Sequence, residues 1–266
     1  MTGPRVFVEP IMGTVASIHV IGDEASSARV DAGVRAAIAG LQRHERVFSM
    51  YRDDSDIQRL RRGEDVIENL DGSVAVVAER CRAAREATGG LFDAELHGWF
   101  DPTGYVKGWA VDDVAERHLA PLVRMPGVTA IGINVGGDMR LFSDPDSDWV
   151  WRVGIADPSE AGRVLGAVTL DSGAVATSGS AERGRHILDP RTGEPAAGVL
   201  SATIVADDLT TADLWATAAV VAGIDGLARV RRAPVRSGLV VGAGGEISRW
   251  LEGVAVSIEL VTPTAA

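Results

Sequence analysis

The sequence predicts an α+β protein: largely antiparallel sheet flanked by helices. Three observations lead there. β-branched, alternating segments occur at both ends and dominate residues 130–206. A few longer stretches carry apolar residues at helical spacing. No βαβ rhythm with a GxGxxG turn appears, which argues against a Rossmann dinucleotide fold.

Taken in order, Arg5–Glu9 and Thr14–Ile21 read as two strands. From about Ser26 to Val47, the spacing of Val30, Val34, Ile38 and Leu41 predicts an amphipathic helix. A second helix runs from about Ser73 to Ala87, with Val74, Val77, Ala78 and Cys81 on one face. Asp71 or Ser73 is its N-cap candidate, and Gly89-Gly90 ends it. On that apolar face Cys81 reads as core. A loop rich in Gly, Asp and Trp is predicted from Gly89 to Lys107, then a helix from about Gly108 to Leu119. Strands follow at Ala130–Val135, Met139–Phe142, Val150–Ile155, Val164–Leu170 and Ser201–Ala206. The helix Thr211–Ala222 separates them from closing strands near Leu239–Val241 and Val254–Ile258, and Gly223 to Gly226 reads as a turn between helices.

Composition narrows the function. The chain has 266 residues, 46% hydrophobic and 24% charged, which is ordinary globular usage with enough length for a sizeable core. We expect one domain over residues 1–266, or two closely packed subdomains. The net charge of −11 disfavours nucleic acid, because phosphate neutralisation needs clustered Lys and Arg. No run reaches the roughly 18–20 apolar residues of a membrane helix, so an integral membrane protein is not expected. Met1–Gly13 lacks a basic segment followed by an apolar one, and the sole cysteine, Cys81, is far from the start. With no signal peptide or lipid-anchoring cysteine, the expected location is cytoplasmic. A single cysteine also excludes a disulfide framework or a cysteine-based metal site. His19, His44, His97 and His118 form no HxH or HxxxH pair, which disfavours zinc.

The chemistry-bearing stretches are Met12-Gly13-Thr14, Phe48-Ser49-Met50-Tyr51-Arg52-Asp53-Asp54-Ser55 and Thr88-Gly89-Gly90-Leu91-Phe92-Asp93. Further on come Asp101-Pro102-Thr103-Gly104-Tyr105-Val106-Lys107-Gly108, Asn134-Val135-Gly136-Gly137-Asp138, His186 to Pro195, and Thr211 to Ala218. Asp213 and Thr217 are four apart on a predicted helix, so carboxylate and hydroxyl share a face suited to a hard cation. Taken alone, Asp213 reads equally as a helix cap, Phe92 and Met12 as core, Lys107 as solvated, and Gly136-Gly137 as a hairpin turn. A lone histidine is more often structural than catalytic, and Asp189 with Arg191 reads as an ion pair holding a turn.

In this order and spacing, these blocks resemble the ApbE family, the FAD:protein FMN transferases once described as thiamine-biosynthesis lipoproteins. The resemblance covers Met12 to about Gly223 and implies an ApbE-like, T-fold-like architecture. It implies FMN transfer from FAD to a Ser or Thr hydroxyl of an acceptor flavoprotein, with release of AMP. It also implies FAD as substrate, Mg²⁺ as cofactor, and membrane association, if any, through the acceptor. Carried over residue by residue, it assigns metal ligation to Gly104 (through its carbonyl), Asp213 and Thr217. Flavin-nucleotide contact goes to Met12, Tyr51, Leu91, Phe92, Asp93, Asp101, Lys107, His186 and Ile187. Catalytic roles fall to Asp213 and His186, the imidazole being suited to removing a hydroxyl proton. Two departures stand out: Asp101-Pro102-Thr103-Gly104 replaces the commoner Asp-Leu-Gly-Gly, and only seven residues separate Asp93 from Asp101. The alternatives are an FAD pyrophosphatase, with water replacing the protein hydroxyl, and a non-catalytic flavin-binding protein.

Overall fold

The computed structural model describes residues 4–179 and 187–251, with the backbone of 257–260. Its frame is an antiparallel sheet of eight strands in the order β1 (Arg5–Ile11), β2 (Thr14–Ile21), β3 (Ala130–Val135), β4 (Asp138–Ser143), β7 (Gly173–Gly179), β8 (Val199–Ala206), β9 (Ser237–Gly242) and β10 (Ile247–Leu251). A smaller sheet holds β5 (Trp151–Ala156) and β6 (Val164–Leu170), with β11 (Ser257–Leu260) on the far side of β6. Every described strand pair is antiparallel.

Side-chain alternation puts the two faces of the large sheet to different uses. Ile18, Val20, Ile131, Ile133, Ala176, Ala202 and Ile204 face the helices and are almost fully buried. Against them pack α1 (Ala28–Phe48), through Val30, Val34, Ala37 and Leu41, and α6 (Leu209–Val230), through Ala212, Trp215, Ala216 and Ala219. Leu141, Val175, Val205, Leu239 and Val241 point to the opposite face, where they meet Val153, Ile155, Val168 and Leu170 of the small sheet. A separate apolar cluster joins the end of α1, α2 (Asp56–Arg61), α3 (Gly72–Thr88) and the start of α4 (Thr103–Val114). Cys81 lies within it, and burial raises its thiol pKa to about 12, as suits a core side chain.

Local chemistry sets the helix ends. Asp71 caps α3, and Gly89 ends it at φ 65°, a left-handed conformation that glycine adopts without steric cost. The Asp208 carboxylate accepts from Thr211 N at 2.7 Å at the start of α6. Asp112, on α4, reaches across to the same helix end and accepts from Leu209 N at 3.0 Å and Thr210 N at 2.7 Å. These acceptors satisfy the orphan N–H groups of the helix start and lock α6 to α4. At Gly223 (φ 69°, ψ 173°) the backbone leaves helical geometry, dividing α6 where a turn was predicted.

Two expectations are corrected. The predicted loop ends at Pro102 rather than Lys107, because the Asp101 carboxylate accepts from Thr103 N at 3.0 Å and starts α4 there. Gly104 and Lys107 are therefore helical. The predicted Gly108–Leu119 helix divides into the rest of α4 and a π-helical run, Ala115–Leu119, that continues into α5 (Ala120–Val123). The strand predicted at Val254–Ile258 falls partly outside the described residues, and β11 begins at Ser257. No helix among the described residues is long and apolar enough to cross a membrane.

Asp112→Ala is expected to lower unfolding stability by about 2–4 kcal/mol, since it strands two helix-start donors in a buried place. Urea denaturation measures this, and a loss below roughly 0.5 kcal/mol would contradict the capping role.

Candidate active site

One cleft of about 840 Å³ gathers Met12, Tyr51, Leu91, Phe92, Asp93, Asp101, Gly104, Lys107, Ile187, Asp213 and Thr217. These are all the described residues that the sequence selects. His186 lies outside the described residues.

Each wall has a local cause. The turn Met12-Gly13 joins β1 to β2. In the segment 48–55, Ser55 Oγ donates to Ser49 O at 2.6 Å and caps α2 by accepting from Gln58 N, which closes the loop on itself. Tyr51 stands at its tip, 97% exposed. Thr88 Oγ1 accepts from Phe92 N at 3.2 Å and so folds Leu91 and Phe92 inward, where both are buried. Asp93 pairs with Arg85 at 2.9 Å, and the Asp101 carboxylate accepts from Thr103 N at 3.0 Å just before α4. Both acids thus have structural duties beside any ligand contact. Ile187 leads into a turn in which Asp189 binds Arg191 through two oxygens. That ion pair holds the Asp189 carboxyl below the usual carboxylate range.

The polar end of the cleft depends on a close helix crossing. A Cβ on Gly108 would lie 2.9 Å from Leu209 O and 3.2 Å from Asp213 Cβ, so only glycine lets α4 and α6 approach this far. The approach brings Lys107, one residue earlier, against Asp213. Lys107 Nζ lies 3.5 Å from Asp213 Oδ2 and forms a shorter ion pair with Asp138 Oδ2. Asp138 Oδ1 accepts from Thr177 N at 2.9 Å. Thr217 stands one turn beyond Asp213, with its hydroxyl 3.1 Å from Ser178 Oγ.

Two buried carboxylates around one ammonium leave an excess of negative charge. Burial drives the Asp213 pKa up to about 6, Lys107 opposes that shift, and Asp138 reinforces it. The Asp213 carboxylate and the Thr217 and Ser178 hydroxyls all line the cleft, and such oxygen donors fit a hard divalent cation. Among the described residues no three His, Cys, Asp or Glu side chains cluster as a ready-made metal cage.

Asp138 is the residue the sequence reading left without a role. It closes the Asn134–Asp138 block, where Gly136-Gly137 makes a two-residue hairpin turn between β3 and β4. That block was itself the signal; what the sequence could not display was the contact with Lys107.

A family model described as the ApbE family matches residues 12–100 and 95–238. This chain belongs to the ApbE family. As an ApbE-family chain it is 39% identical over 139 residues to the FAD:protein FMN transferase of Rhodobacter capsulatus, covering 49% of this chain and 25% of that protein. It is 28% identical over 156 residues to the Escherichia coli K12 protein of the same name, covering 54% and 43%. The matches therefore span a quarter to less than half of those relatives' lengths. The ApbE protein of Thermotoga maritima superposes with TM-score 0.77 at 25% identity, covering 92% of this chain and 96% of that one. Flavin transferase ApbE from Vibrio cholerae shares the fold, with TM-score 0.72 at 19% identity over 94% and 97%. The mixed architecture, a large antiparallel sheet flanked by helices, is thus that of ApbE proteins.

The raised Asp213 carboxyl has a sign that can be tested. It binds protons more tightly when folded than unfolded, so its effect on stability worsens as pH rises from about 4 to about 6, then levels off. In EDTA, Asp213→Asn is expected to be more stable than wild type by on the order of 2 kcal/mol above pH 6, with the gap shrinking toward pH 4. Urea unfolding across that range checks it, and a pH-independent gap would contradict it.

Proposed function

We propose that this chain is a Mg²⁺-dependent FAD:protein FMN transferase. It moves FMN from FAD to a Ser or Thr hydroxyl of an acceptor protein and releases AMP. The observation that carries this reading is the buried, net-negative pair Asp213 and Asp138 around Lys107, with the Thr217 hydroxyl one turn beyond Asp213. Asp213, Lys107 and Thr217 line a cleft whose walls are apolar at Leu91, Phe92 and Ile187. A dinucleotide needs both features, apolar contact for its ring system and cationic compensation for its diphosphate.

In this reading Asp213, Thr217 and the Gly104 carbonyl would hold Mg²⁺, which would supply charge neutralisation at the diphosphate. Lys107 meets a phosphate oxygen as a point charge. Met12, Tyr51, Leu91, Phe92 and Ile187 contact the flavin and fix the position of the FMN phosphorus. Asp93 and Asp101 line the polar edge while holding their loop in shape. The acceptor hydroxyl oxygen bonds to that phosphorus, the bond to the AMP oxygen breaks, and His186 takes the hydroxyl proton. The acceptor is a separate flavoprotein, and any contact of this chain with a membrane comes through it.

The test is mass spectrometry of acceptor proteins incubated with the chain, FAD and Mg²⁺. The expected product carries the mass of FMN less one water, and Asp213→Ala lowers its rate by about 10²-fold or more. FMN and AMP formed at the same rate without any acceptor would assign a pyrophosphatase instead. Transfer that is unaffected in the variant would remove Asp213 from the site.

A further inference from the structure

Met12 is the only non-glycine residue with positive φ among the described residues, at 52°. With Gly13 at φ 68° it forms the two-residue turn between Ile11 and Thr14. Positive φ at both central positions is the type I′ pattern, which favours Asn, Asp or Gly at the first position. An unbranched apolar side chain there costs conformational energy and gains nothing for the hairpin.

The contact that holds this turn breaks a second local rule. Met12 N donates to Glu45 Oε1 at 2.8 Å, across 33 positions of sequence. Glu45 lies in the last turn of α1, where a carboxylate faces the negative end of the helix dipole. Both residues line the cleft. Two locally unfavourable choices thus meet in one hydrogen bond at the site wall, and such paired violations collect where function compensates for them.

We propose that Glu45 is a positioning residue: its carboxylate clasps the Met12 amide and keeps the left-handed turn closed, so that the Met12 side chain is presented to the dinucleotide. This rests on the reading of the cleft as an FAD site. The requirement is for a hydrogen-bond acceptor at position 45, not for a charge. A glycine at position 12 needs no clasp, because it adopts positive φ freely.

The test measures FAD affinity by flavin fluorescence, with Mg²⁺ present, alongside ¹³C-methyl NMR of the methionines, using the full chain. Glu45→Ala is expected to weaken FAD binding about tenfold and to shift the Met12 methyl resonance, whereas Glu45→Gln stays within about twofold of wild type. In a Met12→Gly background, Glu45→Ala is expected to change affinity by less than about twofold. A merely structural role for Glu45 would give the same loss in both backgrounds, and that result overturns the proposal. So does a Glu45→Gln loss equal to that of Glu45→Ala, or an unmoved Met12 methyl in Glu45→Ala. Wild-type protein that binds no FAD would remove the underlying reading and the inference together, an outcome distinguished by its independence from residue 45.

Discussion

The architecture of the site depends on the contact between α4 and α6 at Gly108, where the two backbones come closer than any side chain would allow. Everything polar at the inner end of the cleft follows from that approach. Lys107 is the next residue on α4, Asp213 is the facing residue on α6, and the gap between them is an ion-pair distance. Asp112 reinforces the crossing from one turn further along α4 by capping the start of α6. Moving α6 outward by the width of a methyl group would separate the charges that now compensate one another. The charged part of the site is therefore set by helix packing, whereas its apolar walls come from turns and loops.

The same packing accounts for the electrostatics. A carboxylate on an open helix face titrates near its ordinary value, but Asp213 is buried between two helices and beside the sheet end that carries Asp138. Desolvation then favours its neutral form, and one ammonium shared between two carboxylates compensates only part of that cost. A divalent cation with a phosphate oxygen would complete the balance.

Much of this was legible in the sequence, for identifiable reasons. β2, β3 and β6 occupy the residues predicted for them, because each is a short apolar or alternating run rich in β-branched side chains that the core buries. The glycine end of α3 and the break at Gly223 were legible because glycine marks them chemically. The start of α4 was not: a Gly-, Pro- and Asp-rich segment reads as loop, and the helix begins at Thr103 behind a bond from Thr103 N to the Asp101 carboxylate. The short helix α2 and the edge strand β10 were missed because each offers too few residues to establish a period. At the site, the family blocks marked the residues that converge on the cleft. Asp138 and Glu45 escaped because their roles are long-range contacts, to Lys107 and to the Met12 amide. The block ending at Asp138 marked that residue without showing its contact, and Glu45 lies in none of the blocks.

In the proposed reaction the excess negative charge around Asp213 receives a divalent cation together with a dinucleotide diphosphate. A crystal structure of the chain grown with FAD and Mn²⁺, with anomalous data collected at the manganese edge, tests it most directly. An anomalous peak is expected at coordination distance, about 2.0–2.3 Å, from an Asp213 carboxylate oxygen and from a phosphate oxygen. FAD bound in the cleft with no metal at Asp213, or with Mn²⁺ held only at surface acids, would contradict it.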